Sequence, residues 1–413
     1  MRITRRRAVA GSAALAAGAG AAGLLVGRGA TPTDAGAAPL PPAPDRDPRQ
    51  HAWDAVLRRD ERDEPLPPRH QRLLLCRLAA DPTAARAATA EAALRRVERA
   101  LPASPDGLLL TVGWGHAWFR RIGIAAPIPR PAALNDAEVP RLDDPVCVLH
   151  LASDRVAVLD AVERALLGGG ALAGAGGATD LRGLLRLSDR RTGFVGAGLP
   201  ERHRRGTVGL PPDRPLPPRT PLYMGFQSGF RRNQAREEDV TIADGPWAGG
   251  TTMHLSTIAL ALDSWYRSVD ADGRARRMFT ATTTAADLRR DPRGPELRPV
   301  DVARVARRHA VVGHAEAAAG ARRDGRPRII RRDFDSADGG AARVHFVALA
   351  RSIEDFVVTR QAMDARVAVG AHPAVGVQVN NGINEWMTVE ARTNLLLPPR
   401  ARRVCPGLPG WSA

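Results

Sequence analysis

Lysine is absent. All 60 basic residues of the 413-residue chain are therefore arginine, set against 44 acidic residues for a net charge of +16. A coding sequence rich in G and C accounts for so much arginine and alanine; nucleic-acid binding is the alternative. The arginines are dispersed and interleaved with acids, as in Arg58-Arg59-Asp60-Glu61-Arg62-Asp63-Glu64, and form no single basic stripe. Without a stripe, a dedicated nucleic-acid surface is excluded. Cysteine is scarce too. Cys76, Cys147 and Cys405 have no metal-ligand spacing and an odd count, so no disulfide framework organises the fold. Cys76 and Cys147 stand in apolar runs and read as small buried hydrophobes. The glycines of 113–115, 168–177 and 193–198 follow neither phosphate-loop nor nucleophile-elbow spacing. A strongly hydrophobic stretch of spanning length is also missing: residues 8–27 are long enough but consist mostly of Ala and Gly.

That run follows Thr4-Arg5-Arg6-Arg7 and precedes the small residues Ala35-Gly36-Ala37. Twin arginines before a mildly apolar segment resemble a twin-arginine export signal over residues 1–37, read by the translocase and removed to leave no stable membrane span. Ala8 and Val9 stand where a bulky aromatic is usual, and Arg28 interrupts the approach to the cleavage site. The expected location is outside the cytoplasm, extracellular or in the cell envelope. Folded proteins with cofactors already loaded use this route.

Residues 38–69 form a Pro/Ala-rich linker and N-terminal extension, with structure beginning near Trp53. Strands are expected at 73–78, 108–114, 146–151 and 181–187, and helices at 83–100 and 154–167, the second stopped by Gly168-Gly169-Gly170. The order βαββαβ is a ferredoxin-like unit over 70–200. Residues 201–413 repeat it less cleanly, with strands at 251–262, 328–332, 344–349 and 386–393 and helices at 263–267, 300–309 and 354–365. The expected fold is α+β: two tandem ferredoxin-like units with antiparallel sheets packed face to face.

Within the second unit, residues 311–336 set His314 on an Ala-rich helical segment. A turn at Arg323-Asp324-Gly325 follows, and then Ile329-Ile330-Arg331-Arg332 as a strand. An imidazole near a strand-borne guanidinium pairs a metal ligand with a group that stabilises a developing anion. A strand-end salt bridge is the plain alternative for Arg331.

The order of these elements, Leu110-Thr111-Val112-Gly113-Trp114-Gly115, the turn Gly225-Phe226-Gln227-Ser228-Gly229, Gly249-Gly250-Thr251 entering a strand, His314 and the Ile-Ile-Arg-Arg strand together resemble the dye-decolorising peroxidases. The resemblance runs over residues 70–400. It implies a dimeric α+β barrel type of fold with haem b in the second unit, hydrogen peroxide as oxidant and an organic or inorganic reductant of unknown identity. A homo-oligomer is left open. His314 matches the proximal iron ligand. Arg331, or Arg332 beside it, matches the distal arginine that polarises the peroxide O–O bond. Gly225, Phe226, Gln227, Gly229 and His254 fall in the cofactor-binding region.

One departure stands out. The family's turn carries an aspartate where this chain has Ser228, and a serine has no pKa near neutrality with which to shuttle a proton. Asp244, on a turn before Gly245-Pro246, is one substitute; Asp333 and Asp335 are others nearby. The alternative to an enzyme is a non-catalytic haem- or ligand-binding protein on the same fold. His309, five residues before His314, shares no helix face with it as a metal pair would.

Overall fold

The computed structural model describes residues 46–412, apart from 214 and 218. The export signal expected at 1–37 and the first part of the linker lie outside the described residues. Among the described residues the chain is packed from Arg46, ahead of Trp53. Its guanidinium donates to the carbonyls of Leu101 (2.7 Å) and Leu108 (3.1 Å). Four residues on, the buried Gln50 amide pairs with both backbone groups of Val112 and with the Pro398 carbonyl.

The first unit comprises β1 (His70–Leu78), α1 (Ala84–Ala100), β2 (Leu109–Gly115), β3 (Cys147–Ser153), α2 (Val156–Leu167) and β4 (Leu185–Phe194). Its strands lie in the order β4-β1-β3-β2, all antiparallel, the ferredoxin-like arrangement that the βαββαβ pattern predicts. Thr83 caps α1 by accepting from the Arg86 amide. The last strand starts later than expected. Leu181 is buried but sits in a turn, its carbonyl accepting from the amides of Leu184 and Leu185. The strand then continues through Ser188-Asp189-Arg190, whose exposed side chains read as a loop.

In the second unit, β5 (Thr251–Leu260) leads into α3 (Leu262–Ser268), followed by α4 (Val302–His309) and α5 (His314–Ala318). Then come β6 (Ile329–Arg331), β7 (Phe334–Ser336), β8 (Arg343–Ala350), α6 (Ile353–Asp364) and β9 (Met387–Leu397). β6 and β7 are one strand interrupted at Arg332 and Asp333: both pair antiparallel with β8, at its two ends. The two sheets do not end as separate layers. β9 pairs with β2 at one seam, and β7 bridges β4 and β8 at the other. The strands therefore close into a ring, β7-β4-β1-β3-β2-β9-β5-β8, and the expected facing sheets are its two walls.

Alternation along each strand divides the side chains between two faces. Leu73, Leu75, Val148, Met253, Leu255, Val347, Leu349, Leu395 and Leu397 fill the inside of the ring. Leu74, Cys76, Cys147, Leu149 and Leu151 face outward beneath α1 and α2. All three cysteines are buried and free.

The C-terminal segment locks onto α1 through a fully buried arginine. Arg403 reaches Glu98 at 2.7 Å and Glu91 at 3.2 Å, while its carbonyl accepts from the Trp114 indole at 2.7 Å. Removing Arg403 takes the fully buried cation out of the cluster, while Arg46 and Arg400 still face Glu98 and Arg95 still faces Glu91. Arg403→Met is therefore expected to lose roughly 1.5–3 kcal/mol in urea denaturation, the worth of its charged hydrogen bonds. An unchanged midpoint would show that the cluster adds nothing to the fold.

Candidate functional site: a cavity on the outer face of the second sheet

The interrupted strand over residues 329–336 builds the site. Its alternation sends Ile330 and Phe334 into the ring interior and aims Arg331, Asp333 and Asp335 into a cavity on the other side. That cavity measures about 460 Å³, within the ~300–1,000 Å³ typical of cofactor sites. Ser256, Ile258 and Leu260 of β5 and Val344 and Phe346 of β8 form its floor, with Met387 and Val389 of β9. A bulge between Val389 and Ala391 shifts the alternation, so Arg392 reaches the same side. Phe356, Arg360, Met363 and Asp364, at helical spacing on α6, supply a further wall.

His314 is the first residue of α5. The Glu316 carboxylate accepts from the Gly313 (3.3 Å) and Ala281 (3.2 Å) amides and so fixes the helix start. Gly382 presses against the histidine from behind: with φ +57°, it stands where a Cβ would come within 3.1 Å of the His314 Cα. The ring lines the cavity, and its Nδ1 is buried without a hydrogen-bond partner. Burial, reinforced by Arg331 and Arg360, drives the imidazole pKa down to about 3. At neutral pH the ring is an uncharged lone-pair donor.

Arg331 is gripped by its backbone. Gln234 donates to its carbonyl at 2.9 Å and accepts from its amide at 2.5 Å. Among the described residues its guanidinium has no hydrogen bond and no ion pair within 4 Å, and burial lowers its pKa despite Asp333 nearby. Arg332 points the other way. Its guanidinium stacks 3.8 Å over Trp53, donates to the His51 carbonyl and lies 3.9 Å from Glu237. Expected as an alternative distal arginine, Arg332 is a packing residue between the N-terminal extension and the ring, turned away by the period of two.

The turn 225–229 brings Phe226, Gln227 and Ser228 to the cavity, with Gly225 (φ +93°) and Gly229 (φ +87°) in backbone conformations that favour glycine. Ser228 donates to Asp333 Oδ2 at 3.2 Å, and the Val347 amide donates to Oδ1 at 3.3 Å. Burial raises the Asp333 pKa to about 6, against the opposing pull of Arg331, Val347 and Ser228. Asp335, also buried, accepts from the Tyr223 amide, and burial raises its pKa well above the usual carboxylate range.

Two expected residues are elsewhere. Asp244 is exposed at the tip of a loop closed by paired Ile242 and Gly250, and lines neither this cavity nor its neighbour. The turn formed by Gly245-Pro246 holds it out in solvent. His254 lies behind the wall: Phe356 stacks on it at 3.7 Å, Asn394 and Ser256 bond its two nitrogens, and Arg392 donates to Nε2 at 3.1 Å. Unforeseen is the ionic rim. Arg392 makes a two-pronged bond to Glu138 (2.7 and 2.8 Å), and Arg360 pairs with Asp364 and Glu138. Glu138 comes from a connecting loop of the first unit, and no local pattern marks it.

A second cavity, about 550 Å³, meets the first at Ser228, Arg331 and Asp333, and its far side is the N-terminal extension at Trp53, Pro65 and Pro67.

With this geometry in hand, comparison identifies the relatives. A family described as "Family of unknown function (DUF7405)" matches residues 68–399. The chain belongs to that family. No curated protein matches it. Among solved structures it is similar to the DyP-type peroxidase of Cellulomonas bogoriensis, at 20% identity and a TM-score of 0.53 over 84% of this chain and 91% of that one. DtpA of Streptomyces lividans gives 18% and 0.53 over 82% and 92%. A single-residue variant of DypB from Rhodococcus jostii, in complex with heme, gives 13% and 0.51 over 85% and 96%. At these identities the likeness is one of fold: this DUF7405 chain has the fold of the DyP-type peroxidases.

Arg332→Ala is expected to lose roughly 2–4 kcal/mol, since it removes a desolvated cation–π contact and a charged hydrogen bond. Arg331→Ala is expected to leave the melting temperature unchanged or higher, because a half-buried guanidinium without a partner adds no stabilising contact and is partly desolvated. Equal losses in thermal denaturation would mean that Arg331 is held by contacts like those of Arg332.

Proposed function

We propose that this protein is an exported haem b protein of the DyP peroxidase type, using hydrogen peroxide to oxidise an organic or inorganic reductant. The observation that carries the reading is a pair of unpartnered groups facing one cavity: a neutral imidazole at His314 and a guanidinium at Arg331. Among the described residues no cluster of three or more His, Cys, Asp or Glu side chains could hold a bare metal ion. A single imidazole suits a metal that arrives with its own ring of donors, and the apolar floor suits a flat macrocycle. The residues fit.

Haem, when bound, supplies a redox-active iron at which peroxide is reduced. His314 would hold it through the nitrogen facing the cavity, kept uncharged by burial. Arg331 would bind peroxide and stabilise the negative charge that builds on oxygen, an effect strengthened by its dry surroundings. Gln234 holds the Arg331 backbone and so keeps the guanidinium on station.

A second reading rests on Ser228. With a hydroxyl where the dye-decolorising peroxidases that the sequence resembles carry a carboxylate, the protein could hold haem without efficient turnover.

Export rests on Arg5-Arg6-Arg7 and the weakly apolar run behind them. Replacing all three arginines by lysine keeps the charge but removes the address, so the precursor is expected to stay in the cytoplasm. Undiminished export, scored by cell fractionation, would refute a twin-arginine signal.

His314→Ala is expected to abolish the Soret band of the purified protein or to change its histidine-ligated form, while His309→Ala keeps it. A wild-type spectrum in His314→Ala would sink the assignment.

A further inference from the structure

Among the described residues, Asp333 is the only carboxylate shared by both cavities. One of its oxygens takes the Ser228 hydroxyl and the other the Val347 amide, so its position is fixed from two elements. Arg331 stands two residues before it on the same face of the strand. We infer that Asp333 and Arg331 act together to split a small weak acid HX of the hydroperoxide class, Asp333 taking the proton and Arg331 holding the anion. This rests on the haem reading above and adds to it the proton-transfer residue of the site.

In the proposed step the H–X bond breaks and leaves its electron pair on X. The proton forms an O–H bond on the Asp333 carboxylate, and the N–H groups of Arg331 surround X⁻. Nothing is oxidised or reduced. When the anion has reacted or departs protonated, the same carboxyl returns the proton. Ser228 then has a positioning role: its hydroxyl orients the carboxylate and favours the charged form, while the proton travels on Asp333.

The other groups facing Asp333 do not compete for this role. His314, held near pKa 3, stays neutral across the relevant range. Asp335, whose pKa burial and the neighbouring Asp333 raise, is bonded to the Tyr223 amide and lines only one of the two cavities. Arg360 is engaged by Asp364 and Glu138, and on the second cavity's side Arg332 is engaged by Trp53 and the His51 carbonyl. Asp333, bonded from two elements and shared by both cavities, has its pKa raised by burial to about 6, within the range of ordinary working pH. A solute entering by the second cavity meets it without crossing the apolar floor of the first.

Cyanide binding to the haem-loaded protein, followed at the Soret band by stopped flow, tests this. Hydrogen cyanide stays protonated through neutral pH and must lose its proton to bind as an anion. The association rate of the wild type is expected to fall below about pH 6, as Asp333 becomes protonated. Asp333→Asn keeps the shape and is expected to slow association by ~10²–10⁴-fold with no inflection, and Asp333→Glu to restore part of the rate. Ser228→Ala is expected to move the inflection upward, because the carboxylate loses a hydrogen bond to its charged form. In haem-free protein the carboxyl ¹³C signal of Asp333 is expected to titrate near 6. A soluble Asp333→Asn protein with a Soret band and an unchanged pH profile overturns the inference and leaves the haem reading intact; so does an Asp333 midpoint near the ordinary value of about 4. A wild type with no Soret band overturns both.

Discussion

A buried charge without a partner is the constraint on which the site turns. Taking a guanidinium out of water is expensive unless an anion or a set of acceptors goes with it. This chain, with arginine as its only strong cation, obeys that rule at nearly every buried position. Arg403 lies between Glu91 and Glu98, Arg392 against Glu138, and Arg332 over Trp53 with a carbonyl at its tip. Arg331 stands apart: it is half-buried, it lines a cavity, and its guanidinium is unbonded among the described residues. His314 is its counterpart, with a ring nitrogen sealed from water and bonded to nothing. Two such groups on one cavity are costly for the protein alone and sensible for a protein that receives something between them.

The strand over 329–336 turns this constraint into a site. A period of two puts successive side chains on opposite faces, so adjacent arginines have opposite fates. Arg332 becomes mortar between the extension and the ring, and Arg331 an edge of the cavity. The same alternation carries Asp333 and Asp335 to the Arg331 side. β8 holds both halves of the interrupted strand, so the break at Arg332 and Asp333 does not loosen the geometry. The floor behind them is a sheet whose other face is the packed ring interior, and that backing gives it rigidity.

Much of this could be read in the chain. Helical and strand periodicity located the first unit closely, because α1 and α2 are long and the strands between them are continuous apolar runs. His314 and Arg331 were legible as a pair from the helix-turn-strand grammar of residues 311–336. What the sequence hid has physical reasons. The β4 strand is polar on its exposed face, so the apolar residues from Leu181, which form the turn before it, mark too early a start. Asp244 looked like a substitute acid because closeness in sequence to the turn 225–229 was taken for closeness in space. Glu138, His254 and Arg392 form one network only because a connecting loop, β5 and β9 meet, with a bulge turning Arg392 inward. Long-range pairing of that kind leaves no local signature.

The turn over 225–229 and the strand beside it meet at one hydrogen bond. Ser228 stands on the turn, and its hydroxyl donates to a carboxylate on the neighbouring strand. The local chemistry is an oxygen acid near a guanidinium, held by a turn with glycines at both ends. Asp333, held by Ser228 and by the Val347 amide, takes its position from two elements, and burial raises its pKa to about 6. A group fixed in this way needs a solute to come to it, and the second cavity opens onto Asp333 where the two spaces meet, beside Ser228 and Arg331.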